Sequence, residues 1–93
     1  MSVRSLALKK RLKAGETTFG GWLTVANPVI AEIMAGTGFD WVVIDTEHGG
    51  FDNEGLMTNL IAFNGSPTVP IVRVPWNDAV RIKQILDMGE IGR

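Results

Sequence analysis

The 93-residue chain contains no cysteine. That removes three classes of chemistry at once: a disulfide framework, a zinc–thiolate site and a thiol nucleophile. Histidine occurs once, at His48, so a site built from several imidazoles is excluded as well. Charge of either sign is scarce in the net, with a formal value of −1, and no basic stripe of the kind that grips nucleic acid is present. The one basic run, Lys9, Lys10, Arg11 and Lys13, reads as the solvated end of a helix, where cations complement the carboxyl-terminal dipole. No stretch approaches the roughly 20 apolar residues needed to span a bilayer. Arg4, Lys9 and Lys10 interrupt any apolar core of signal-peptide length, so a cytoplasmic location is expected. There is no GxGxxG or Walker loop; the nearest glycine-rich stretch, GTGFD, precedes a strand rather than a helix.

What is present is alternation. Residues 5–14 (SLALKKRLKA) read as a helix with Leu8 and Leu12 on one face and Gly15 placed to stop it. TFGGWLTV, following Thr17, is a strand candidate in which the glycines mark a bend or close backbone approach. Asn27-Pro28 supplies an N-cap and a first-turn proline to a helix whose apolar stripe is Ile30, Ile33 and Met34 and which Gly36 and Gly38 end. FDWVVI, Phe39 to Ile44, closes in four apolar residues, which suits a parallel strand covered on both faces. Asp52 can cap a helix with Leu56, Met57, Leu60 and Ile61 inward and Asn64-Gly65 at its end. VPIVRV, Val69 to Val74, is the third strand, with Pro70 near a strand start or edge. Asn77 or Asp78 caps a last helix through Met88, with Ile82, Ile85 and Leu86 on one side.

The order is a helix followed by strand–helix three times, without repeats or low-complexity linkers. Thr24, Asp45 and Arg73 punctuate the strand ends at spacings suited to βα units of roughly 30 residues. Such alternation specifies an α/β fold with a parallel sheet and right-handed crossovers. Three strands with helices on one face leave the other face apolar and open. A closed barrel needs about eight units and roughly 250 residues. Residues 1–93 are therefore expected to be the N-terminal part of a barrel domain, or a truncated relative of one.

In parallel α/β architectures, ligands bind at the carboxyl ends of the strands. Three polar clusters fall there: Gly21-Trp22 to Thr24, Asp45 to His48, and Arg73 with Trp76 to Asp78. Structural alternatives stand beside each. Asp45 can cap the turn after its strand, Glu47 can be solvated, His48 can be a structural loop residue, and Trp22 can be packing. Arg73 is harder to dismiss. A guanidinium ending an apolar strand is costly unless it meets an anion, either an internal carboxylate or a substrate carboxylate.

Four ordered blocks carry a resemblance: GWL, AGTGFDWVVIDTEHG, PIVRVPWND and IKQILDMG. Together, from about Leu6 to Gly89, they resemble the N-terminal third of the HpcH/HpaI aldolases, class II pyruvate aldolases on a (β/α)8 TIM barrel. The resemblance implies retro-aldol cleavage of a 4-hydroxy-2-oxo acid to pyruvate and an aldehyde. It implies His48 as the catalytic base, Asp45 as the acidic residue beside it and Asp87 as the partner that orients it. Arg73 would hold the carboxylate and keto oxygen of pyruvate, and Trp22 would line the substrate pocket. A divalent cation is implied, Mg²⁺ or Mn²⁺ with Co²⁺ a further option, whose ligands are expected on later strands and not within this chain. A homo-oligomer, a hexamer by family habit, is also implied. Two other readings stay open: a non-catalytic fragment that acts through assembly with another chain, and a citrate-lyase β-like CoA-thioester lyase.

Overall fold

The computed structural model describes residues 2–74 and 79–91, with the backbone alone at residues 81 and 87–91. Its elements run α1 (Val3–Lys13), β1 (Gly20–Leu23), α2 (Pro28–Ala35), β2 (Trp41–Asp45), α3 (Asn53–Ile61), β3 (Val69–Arg73) and α4 (Ala79–Ile91). The strands form one sheet in the order β1-β2-β3, parallel throughout. Helices α2, α3 and α4 all bury residues against one face of it, the arrangement of successive βα units.

The capping signals in the sequence act where they stand. Ser2 accepts from the Ser5 amide at 3.2 Å and starts α1 two residues before the expected position. Asn27 accepts from Val29, with Pro28 at the first turn of α2. The Asp52 side chain accepts from the Gly55 amide at 2.7 Å and opens α3. Gly15 and Gly65, after α1 and α3, have φ near +78°, which only a residue without Cβ adopts cheaply. The expected Asn77 or Asp78 cap of α4 lies outside the described residues.

The core lies between the sheet and the three helices. Leu23, Val42 and Ile44 meet Ala31, Ala35, Leu56, Leu60, Phe63 and Ile85, with Met34, Met57 and Val72 partly buried around them. This corrects the expected helix faces. On α2 the large residues Ile30 and Ile33 are exposed, and the small Ala31 and Ala35 face inward beside Met34. Ile30-Ile33-Met34 and Ala31-Met34-Ala35 obey the same helical spacing one residue apart, so periodicity alone does not choose between them. Small residues inward let α2 lie close to its neighbours. Leu12, Ile61 and Leu86 are likewise exposed where burial was expected, leaving Leu8, Leu60 and Ile85 as the inward residues of those helix ends.

Helix α1 closes the amino-terminal end of the sheet. The Arg4 guanidinium donates to the Phe63 carbonyl and, at 2.7 Å, to the Ser66 carbonyl, both just before β3. Arg11 pairs with Asp40, just before β2, at 2.8 Å, and Asp40 also accepts from the Phe19 amide. The sheet face opposite α2–α4 carries a row of register partners, Trp22, Val43 and Ile71. Val43 is buried, but Trp22 and Ile71 are 52% and 41% exposed, so this face is only partly covered. Two residues further along the strands, at the carboxyl ends, Asp45 and Arg73 stand side by side on that same face. No helix of the described residues is long and apolar enough to cross a membrane.

Candidate active site

The segment after β2 folds back on itself around Asp45. One carboxylate oxygen, Oδ1, accepts from the backbone amides of Glu47 and His48 at 2.9 and 3.0 Å. The other, Oδ2, accepts from the Trp22 indole N–H at 3.1 Å and lies 3.6 Å from Arg73 Nη1. Asp45 is only 2% exposed, and such burial alone would favour its protonated form. The His48 amide, the Trp22 indole, the Glu47 amide and the Arg73 charge outweigh that cost and hold its carboxyl below the usual aspartate range. The alternative that Asp45 caps the turn is therefore part of the structure, and it reaches His48 through the backbone rather than through the ring.

The turn is fixed from two further sides. Thr46 donates to the Arg73 carbonyl through both its amide, at 3.1 Å, and its hydroxyl. Gly49 donates to the Asp45 carbonyl at 3.0 Å and sits so close that a Cβ there would lie 2.3 Å from that oxygen and 2.9 Å from the Thr24 carbonyl. Neither residue stood out in the sequence, although a glycine directly after the histidine was a visible signal of close approach.

Glu47 is the residue that the sequence reading left without a role, and it is the hub. Its Oε2 lies 2.8 Å from Arg73 Nη2 and its Oε1 lies 3.5 Å from His48 Nε2. The imidazole from the β2 end and the guanidinium from the β3 end thus meet on one carboxylate. The His48 side chain is 66% exposed and open to an incoming molecule. Arg73 has the anionic partners that a guanidinium at this place requires. Trp22 flanks the cluster, its ring half exposed on the open sheet face and its N–H engaged by Asp45. Asp87 falls on α4, with its side chain outside the described residues, as Trp76 to Asp78 are entirely.

A divalent cation needs a convergent oxygen-rich donor set. Among the described residues no three acidic or imidazole groups converge in a way that could hold one. The Asp45 oxygens already face amides, an indole and a guanidinium, and Glu47 faces Arg73. These residues alone do not fit the metal that the resemblance implies.

Comparison with known proteins places the fold in a family. Residues 18–92 match the family model described as HpcH/HpaI aldolase/citrate lyase. A 4-hydroxy-2-oxo-heptane-1,7-dioate aldolase from Salmonella dublin is 48% identical over 83 residues, which cover 89% of this chain and 32% of that protein. The crystal structure of an HpcH/HpaI aldolase/citrate lyase family protein from Burkholderia cenocepacia J2315 superimposes with a TM-score of 0.81 at 35% identity, covering 88% of this chain and 33% of that one. The citrate synthase SbnG does so with a TM-score of 0.78 at 38% identity, covering 88% and 34%. This chain therefore spans about a third of the length of the curated relatives it matches. Its three βα units are of the (β/α)8 barrel type, and the chain belongs to the HpcH/HpaI aldolase/citrate lyase family.

Proposed function

We propose that these residues supply the proton-transfer and carboxylate-binding part of an aldolase centre acting on a 4-hydroxy-2-oxo acid. One observation carries the reading: His48 and Arg73, 25 positions apart in sequence, share a carboxylate at the ends of adjacent parallel strands. The relative named as a 4-hydroxy-2-oxo-heptane-1,7-dioate aldolase supports the substrate class.

In this reading Arg73 grips the carboxylate of the 2-oxo acid, a charged hydrogen bond worth about 1.5–3 kcal/mol. His48 Nε2 takes the proton of the 4-hydroxyl. The C3–C4 bond then breaks, the aldehyde leaves, and the bonding electrons remain on the pyruvate fragment as its enolate. The imidazolium returns its proton to C3 and pyruvate results, so protons and electrons balance. Asp87 is proposed to orient His48, and Trp22 to line the pocket while its N–H holds Asp45 in place. The described residues offer no donor set for the divalent cation of class II chemistry, so no step is assigned to it.

Exchange of pyruvate methyl protons for deuterium, followed by NMR with Mg²⁺ or Mn²⁺ present, tests the assignment. A positioned base contributes roughly 10²–10⁴-fold. Exchange should therefore fall at least about a hundredfold in His48→Ala. An unchanged rate in that variant would refute the role of the imidazole.

The half-exposed Trp22 and Ile71 favour a second reading, in which the chain acts through assembly with another chain on that sheet face. Light scattering on the purified chain tests it, and a strictly monomeric species would defeat it.

A further inference from the structure

The cluster around Arg73 has a charge problem as a receptor for an anion. Asp45 and Glu47 both face its guanidinium, at 3.6 and 2.8 Å, so the three side chains together carry an excess of negative charge. A substrate carboxylate would arrive at a guanidinium already engaged.

The two carboxylates differ in what holds them. Asp45 is buried and tied by two backbone amides and an indole, so releasing it would unmake the turn. The contacts seen for the Glu47 side chain are Arg73 on one oxygen and His48 on the other, and it is 36% exposed. Glu47 can leave Arg73 at little structural cost. Its other oxygen already lies 3.5 Å from His48 Nε2.

We infer that Glu47 is an exchangeable counter-ion for Arg73: it occupies the guanidinium while the pocket is empty and is displaced by the carboxylate of an incoming 2-oxo acid. This rests on the reading of Arg73 as the carboxylate anchor. Displacement frees Glu47 to turn fully to His48, where its charge supports the imidazolium that forms when the base takes a proton. Anion binding and support of the base are then linked through one side chain. Glu47 is in this sense a positioning and specificity residue that makes the site reject weak anions, because each ligand must beat an internal carboxylate.

The test is a titration of the 93-residue chain with sodium pyruvate, followed by the NMR signals of the single histidine and of the Trp22 indole N–H. A merely structural glutamate would weaken binding when replaced. An exchangeable counter-ion tightens it. Glu47→Gln and Glu47→Ala should each lower the pyruvate Kd by about two- to fivefold, the range an exposed ion pair commands. Glu54→Gln, which removes the same charge from the first turn of α3, should leave the Kd unchanged. Arg73→Ala should abolish binding with Glu47 or Gln at position 47. If Arg73→Ala binds pyruvate as well as the unsubstituted chain, the anchor reading itself fails. If Arg73→Ala loses binding but neither Glu47 variant gains affinity, or Glu54→Gln gains as much, the counter-ion role is overturned and the anchor stands. Absence of binding in every variant overturns both.

Discussion

Replacing Gly49 by alanine should damage this protein far more than the same change at its neighbour Gly50. Gly49 is not among the described glycines with positive φ, so the constraint is space rather than backbone conformation. An added methyl would sit 2.3 Å from the Asp45 carbonyl oxygen and 2.9 Å from the Thr24 carbonyl oxygen. Ordinary carbon–oxygen contact is more than half an ångström longer than either distance, and neither obstacle is a flexible side chain. Asp45 is anchored in the ladder opposite Arg73, so the turn is the part that must move. Relief of overpacking typically costs about 1–3 kcal/mol. Moving the turn also weakens the Glu47 and His48 amide bonds to a charged, buried carboxylate, each worth about 1.5–3 kcal/mol when fully lost. With partial relaxation, a loss of about 2–4 kcal/mol is expected from a total that for this chain length is of order 5–14 kcal/mol. At about 4–8 °C per kcal/mol for a domain of this size, Tm should fall by roughly 8–32 °C. A Cβ at Gly50 meets nothing within 4 Å, so Gly50→Ala should be neutral or slightly stabilising through the unfolded chain. Thermal and urea unfolding followed by circular dichroism would measure both, with the His48 imidazole signal reporting whether the turn has moved. Equal Tm values for the two variants, or Gly49→Ala with an unmoved imidazole signal, would refute the steric argument.

Trp22→Phe keeps an aromatic ring on the half-exposed sheet face but removes the donor to Asp45 Oδ2, and should cost about 1–3 kcal/mol in urea unfolding. A full-stability Trp22→Phe would show that this bond is dispensable. Asp45 and Asp40 both have carboxyls held below the ordinary aspartate value of 3.8, Asp45 chiefly by the His48 amide and Asp40 chiefly by the Phe19 amide. Below that value the unfolded chain binds more protons than the folded one, so the stability they contribute is present above about pH 4 to 5 and is lost as pH falls through their folded-state values. Asp45→Asn should therefore be less stable at neutral pH and show a shallower acid limb in denaturation midpoints measured across pH 2 to 7; an unaltered acid limb would contradict the assignment.

The sequence made the architecture legible because its punctuation was chemically explicit. Asn27-Pro28, Asp52 and Gly15 act through local hydrogen bonds and φ preferences, and each acts where it was expected. The rotation of α2 was not legible. Ala31 and Ala35 are inward because of what the neighbouring elements leave room for, a fact that no local pattern contains. At the rim, Asp45, His48, Arg73 and Trp22 were recognisable as polar or aromatic residues at strand ends, and the structure brings all four to one place. Glu47 was given no role, and Thr46 was not singled out, for the opposite reason: their importance lies in partners on β3, some 26 residues away, that only the parallel pairing brings close. Gly49 differs again, since its requirement arises from two carbonyls of β2 and the loop after β1.

The paired hydrogen bonds that Thr46 donates to the Arg73 carbonyl have a consequence for divergence of the site. They rivet the backbone that carries the imidazole to the backbone that carries the guanidinium, so their spacing is dictated by main chain and not by side-chain habit. New specificities built on this frame would have to come from walls supplied elsewhere around the rim. The span between proton acceptor and anion anchor would stay the same ruler for every ligand.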